Sequence, residues 1–188
     1  VNDGAFSRDE LQRLSQDEVV AAGWPEEADS RLRQVVDDLR QHAWLDVSAS
    51  YNSYGSGYAS FVPVFCTYAD RRAQKALDQP VKMVEVYGLR LVLSRLGPYA
   101  CVGEGRTTRR LDGVSSGEDL PSVDAVGIAP SDGNDWNDML AAIREVLQRR
   151  GIALLDYDTL NEEIDWEVET ILGDPPYRVF DAIFHWMD

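Results

Sequence analysis

The stretch VKMVEVYGLRLVLSRLGPYACVGEG, Val81 to Gly105, limits the fold of this chain more than any other. Val84 and Val86 alternate with Glu85, and Leu89, Leu91 and Leu93 alternate with Arg90, Val92 and Ser94. A period of two is the signature of a strand with one face turned to a core. Gly97-Pro98 turns the chain, and YACVGEG returns as a partner strand. A long antiparallel hairpin at the centre of a sheet is therefore expected. The apolar phase moves from even to odd positions across Tyr87-Gly88, which predicts a β-bulge at Gly88.

Helices flank this region. Ser7 is placed to cap a helix starting at RDEL and running to about Ala22, with Glu10 as its capping-box partner. A second helix is expected from Pro25 to His42, with Leu32, Val35, Val36 and Leu39 on one stripe. Pro25, Glu26 and Glu27 suit its first turn. Trp44–Ser50 and Ala59–Tyr68 read as strands joined by the loop YNSYGSGY. Pro63 predicts an edge strand or a bulge, because it cannot donate to a ladder. Arg71–Pro80 reads as a polar connection with a helical turn, and Ser122–Pro130 as another short strand.

The clearest helix is expected within SDGNDWNDMLAAIREVLQRRG. Asp132, Asn134 or Asp135 caps it, Trp136, Met139, Leu140, Ile143 and Leu147 form its stripe, and Gly151 stops it. IALLD then reads as a strand. The end, DPPYRVFDAIFHW, alternates and reads as a strand-like tail. Helices and strands are not arranged as βαβ units. The expected class is α+β: a mainly antiparallel sheet with a long central hairpin and helices packed on one face. One globular domain, 1–188, is expected, with helices in 7–42, sheet in 44–128, a helix at 134–150 and an acidic segment and strand in 152–188.

Composition narrows the function. Hydrophobic content of 44% and charged content of 27% suit an ordinary globular protein. No apolar run approaches the ~18 residues that cross a bilayer. The N-terminal sequence lacks the basic start and apolar stretch of a secretory signal, so a cytoplasmic location is expected. The two cysteines, Cys66 and Cys101, read as reduced core thiols, with one disulfide between them as the alternative. A net charge of −15 argues against nucleic acid or an anionic membrane as partner and permits a basic protein.

The charge is concentrated. Asp156 to Asp188 holds ten acids and one base, Arg178. Within it, DYDTLNEEIDWEVE carries seven acids and no base. These carboxylates admit three readings: a metal or catalytic site, a surface for a basic partner, or a solvated face. If the segment is helical, Ile164 and Val168 face inward and the acids spread over the exposed sides.

Motifs for chemistry are sparse. His42 and His185 are far apart in sequence, and there is no CxxC, HExxH or G-x-S-x-G. DGNDWND departs from the calcium-loop pattern at Gly133 and Trp136. GEGRTTRR lacks the Gly-Lys-Ser/Thr of a phosphate loop and reads as an exposed hairpin whose arginines offset nearby acids. No catalytic residue, cofactor or metal ligand is assigned. Tyr51, Tyr54 and Tyr58, with Gly55 and Gly57, offer either interface chemistry or a cover for the sheet edge.

The C-terminal PYRVFDAIFHWMD resembles the endings of small acidic bacterial toxin-immunity proteins. The resemblance covers about a dozen residues. It implies a non-enzymatic inhibitor that blocks a basic toxin by tight binding, and it carries over no catalytic residues. On this reading the contact residues are Asp158, Glu162, Glu163, Asp165, Trp166 and Glu167, with Tyr54 and Tyr58 as a second patch. The alternatives are a metal-assisted hydrolase, in which the C-terminal acids meet Asp132 or Asp135, and a self-associating regulatory module.

Overall fold

The computed structural model describes residues 6–21, 24, 28–53, 57–77, 83–110, 115–118, 121–127 and 135–187. Its centre is the expected hairpin. β5 (Met83–Ser94) and β6 (Tyr99–Arg110) pair antiparallel from Met83↔Arg110 to Leu93↔Ala100. The register passes through Gly88↔Gly105 without a shift, so there is no bulge at Gly88. The glycine answers a different need. β3 (Phe61–Tyr68) lies beside β5 only from Leu89 to Ser94, and β4 (Gln74–Leu77) takes over the same edge from Met83 to Val86. Gly88 sits at the handover, where a Cβ would lie 2.1 Å from the Cys66 carbonyl oxygen. The apolar phase changes because the strand is buried on both faces from Leu89 onward.

The sheet runs β1 (Leu45–Ala49), β3, β5, β6, β7 (Ser115–Glu118), and all these pairs are antiparallel. β8 (Ala153–Leu154) adds to β6 in parallel. A separate ribbon pairs β2 (Tyr58–Ala59) with β9 (Trp186–Met187). The class is α+β. β3 is an interior strand, contrary to the expectation from Pro63. Ser50 N–H donates to the Pro63 carbonyl, so the missing proline donor faces the end of β1 and costs the ladder little. Residues 74–77, expected to be a polar connection, form β4. Residues 122–127 form a short 3-10 turn, Val123–Ala125, and one bridge, Gly103↔Gly127, in place of the expected strand.

Side chains of the central strands alternate between two cores. Val62, Val64, Cys66, Leu89, Leu91, Leu93, Ala100 and Val102 enter one, covered by α2 (Ala28–Arg40) and α3 (Asn137–Arg149). Phe61, Val92 and Cys101 enter the other, covered by α1 (Arg8–Leu14) and α5 (Val179–Ile183). Helices therefore pack on both faces, which corrects the one-face expectation. Cys66 and Cys101 lie in different cores and are free thiols.

Local signals account for most helix limits. Leu32, Val35, Val36 and Leu39 of α2 are fully buried, each worth about 2 kcal/mol of apolar transfer. Pro25–Glu27 lie outside the described residues. Trp136, Met139, Ile143 and Leu147 face the core as expected. Asp135 Oδ1 accepts from Asn137 N–H at α3, and Gly151, at φ 68°, ends that helix. Ser7 Oγ accepts from Glu10 N–H at α1. α1 stops at Leu14, short of Ala22, because Asp17 adopts φ 61°. Glu18 N–H then bonds the Arg13 carbonyl and Asp17 N–H the Leu14 carbonyl, a Schellman closure. Among the described residues no helix is long and apolar enough to cross a membrane.

Candidate partner-binding surface

The acidic segment starts with α4 (Tyr157–Leu160), capped where Asp156 Oδ1 accepts from Thr159 N–H at 2.9 Å. That hydrogen bond holds the Asp156 carboxyl below its ordinary range. The helix ends there, so the condition of a helix as far as Glu169 is not met. Beyond it the chain is anchored at Glu163↔Arg178, with Ile164 N–H donating to the Tyr177 carbonyl and Val179 N–H to that of Glu162.

Side chains along this stretch alternate. Ile164 and Trp166 pack against the second core, and Val168 is buried. Glu163, Asp165, Glu167 and Glu169 point to solvent. Burial and exposure thus alternate with a period of two, and not the helical period, and all four carboxylates are exposed. Asp158 and Glu162 are exposed as well.

Two of the expected contact residues are engaged within the chain. The Arg8 guanidinium bonds both oxygens of Asp165, at 2.7 and 3.0 Å, and lies 5.1 Å from the centre of the Trp166 ring. This hydrogen bonding lowers the Asp165 carboxyl. Trp166 Nε1 donates to Ser15 Oγ at 3.3 Å. The Asp165 charge is thus offset by Arg8, whereas Glu162, Glu163 and Glu167 are exposed carboxylates that form no ion pair among the described residues.

Between this segment and the end of α1 is a cleft of about 630 Å³, lined by Ser15, Asp17, Trp166, Glu167, Glu169 and Met187 among others. Sequence reasoning did not find Ser15 or Asp17, since residues 8–22 read as plain helix. His185 Nε2 lies 2.8 Å from Asp17 Oδ1, and the His185 ring is fully buried. That contact holds a non-glycine residue in the left-handed conformation that ends α1. Tyr58 belongs to the same neighbourhood, as the register partner of Met187. Burial pushes its hydroxyl up to about 12. The two expected patches thus meet at Met187. Tyr54 lies outside the described residues.

The other candidate motifs have structural uses. Arg106 pairs with Glu85 at 3.2 Å and Arg109 with Asp46 at 2.8 Å, so GEGRTTRR does offset nearby acids. Asp132–Asn134 lie outside the described residues, and Trp136 is buried. Among the described residues no group of three or more His, Cys, Asp or Glu is placed to hold a metal ion. His42 packs on Trp44 and His185 binds Asp17, so neither is paired with a thiol. Burial pushes Cys66 up to about 12 and raises Cys101 as well, which disfavours the thiolate in both. Compared with protein-family models, curated proteins and solved structures, the chain matches none.

Proposed function

We propose that this chain is a non-enzymatic binding protein, an immunity-type inhibitor that neutralises a basic bacterial toxin or effector. The observation that supports this best is the row of exposed carboxylates Glu163, Glu167 and Glu169 beside a cleft floored by Trp166. The row gives long-range attraction for a basic surface, and the tryptophan gives an anchor that desolvates on contact. The exposed acids Asp158 and Glu162 extend the field, and Tyr58 adds an aromatic rim.

The test is a pull-down from lysates of the source organism and its competitors, washed at low and at high salt, with bound proteins identified by mass. The captured partner is then measured against Glu163→Lys/Glu167→Lys/Glu169→Lys. Charge reversal is expected to slow association at least about tenfold and leave dissociation nearly unchanged. Asp165 is left intact, because reversing it would also break the Arg8 pair. A stoichiometric partner whose association rate ignores the triple change would refute this surface. Failure to capture any basic partner would return the acids to a solvated face.

A further inference from the structure

A second pocket, separate from the acidic cleft, lies where α3 crosses the ends of β1 and β3. Its volume is about 450 Å³. One wall is aromatic. The His42 and Trp44 rings meet edge to face at 5.8 Å, and Trp44 lies 6.0 Å from Tyr68. Tyr68 is fixed from behind by stacking on Trp136 at 5.6 Å and by donating its hydroxyl proton to the Asp135 carbonyl at 2.6 Å. The opposite wall is the exposed side of α3, with Asp138 and Glu145 flanking Ala141 and Ala142.

The wall already holds one cation. The Arg72 guanidinium lies 4.2 Å from the centre of the Tyr68 ring, the geometry of a cation–π contact. Its charge is met chiefly by Asp70, whose carboxylate is 2.7 Å away, and at longer range by Asp138. The carboxylates of α3 are less committed. Glu145 reaches Arg149 only at 3.8 Å, and Asp138 forms no ion pair among the described residues. Asp138 and Glu145 therefore face, across a floor of methyl groups, an aromatic wall whose Tyr68 side carries Arg72 and whose Trp44 side carries no cation among the described residues.

We propose that this pocket receives an organic cation, a guanidinium or alkylammonium headgroup, set against Trp44 with its charge between Asp138 and Glu145. Aromatic faces and carboxylates both favour such a group, and the alanines leave room for its apolar stem. The site belongs to the first core, whereas the acidic cleft borders the second, so it stands whether or not the inhibitor reading holds.

The test is calorimetric titration of the full chain at low salt with N-acetylarginine amide, with the peptide Gly-Arg-Gly and with neutral N-acetylcitrulline amide. Ring resonances of His42 are followed by NMR in parallel. Saturable one-to-one binding of the arginine probes is expected, with His42 shifting. Affinity should fall at least about tenfold in Asp138→Asn/Glu145→Gln. Both changes are near-isosteric and on an exposed helix face, and thermal melting checks that the fold is kept. Tighter binding of the peptide would mark a side chain of a partner protein as the source. Equal binding of the amide would mark a free small cation. The proposal fails if no saturation occurs by about 10 mM, if the citrulline probe binds equally, or if the double variant binds as the parent does with His42 unmoved.

Discussion

The Arg95 side chain reaches Asp29 on α2 at 2.8 Å and ties that helix to the strands beneath it. The same guanidinium donates to the carbonyls of Ala59 and Phe61 through one nitrogen and to that of Tyr51 through the other, at 2.6 to 2.8 Å. It is 12% exposed, whereas Asp29 is 42% exposed. Arg95→Ala strands three carbonyls and is expected to cost roughly 2–3 kcal/mol. Asp29→Asn removes only a half-solvated charge and is expected to cost under about 1 kcal/mol. Urea denaturation of the two variants checks the asymmetry, and equal losses would show that the ion pair, and not the carbonyl bonds, carries the effect.

Gly88 and Gly103 are expected to refuse a side chain for the same reason. A Cβ at Gly103 would lie 1.5 Å from the Ala125 carbonyl oxygen, and one at Gly88 2.1 Å from that of Cys66. Backbone would have to move in each case, so Gly88→Ala and Gly103→Ala should each cost about 2 kcal/mol or more. Gly151→Ala has open space and suffers only from its φ of 68°, so its loss should be smaller. Melting temperatures of the three variants rank them.

Asp181 gives a pH dependence whose sign follows from its burial. Burial raises its carboxyl above the ordinary value, although its Oδ2 accepts from Arg178 N–H at 2.8 Å. A raised carboxyl contributes most to stability below its unfolded value, and that contribution is lost as pH rises through the folded one. Asp181→Asn keeps an acceptor for Arg178 and removes the charge. It should stabilise the fold at neutral pH, with the advantage vanishing in acid. Denaturation midpoints across the pH range measure this, and an advantage that grows toward acid would reverse the assignment.

Cys66 and Cys101 should resist a thiol reagent in the native protein and react quickly once it is unfolded. Both are buried, and burial disfavours both thiolates. Because they belong to opposite faces of the sheet, oxidants should not bridge them without unfolding. Labelling with and without urea, read by mass, tests both statements. Rapid native labelling of either would mean that its core opens easily.

Features governed by local pattern were legible in the sequence. The stripes of α2 and α3, the caps at Ser7 and Gly151, and the long hairpin follow from spacing and turn chemistry. What resisted reading was set by partners distant along the chain. Gly88 marks a close approach to Cys66, not a bulge. β4 is a strand because the edge of β5 is free beyond β3. Val179, Phe180, Ala182, Ile183 and Phe184 are all buried, so α5 has no polar stripe to betray its period. The acid row had a readable period of two in Ile164, Trp166 and Val168, but its inward and outward sides were weighed only on the condition of a helix. Nothing local shows that Arg8 captures Asp165, 157 positions away.

The two cores differ in when they can exist. The buried members of the first lie between Trp24 and Ile152, and its helices and strands are all available once that stretch has emerged from the ribosome. The second joins Leu11 and Leu14 to Val179–Trp186. During translation α1 must therefore wait, its apolar side uncovered, until nearly the whole described chain has left the ribosome. The side of the sheet bearing Phe61, Val92 and Cys101 waits with it. A chain that has emerged from the ribosome only as far as residue 155 would carry one finished core and one open apolar face, the species most exposed to chaperones and to aggregation.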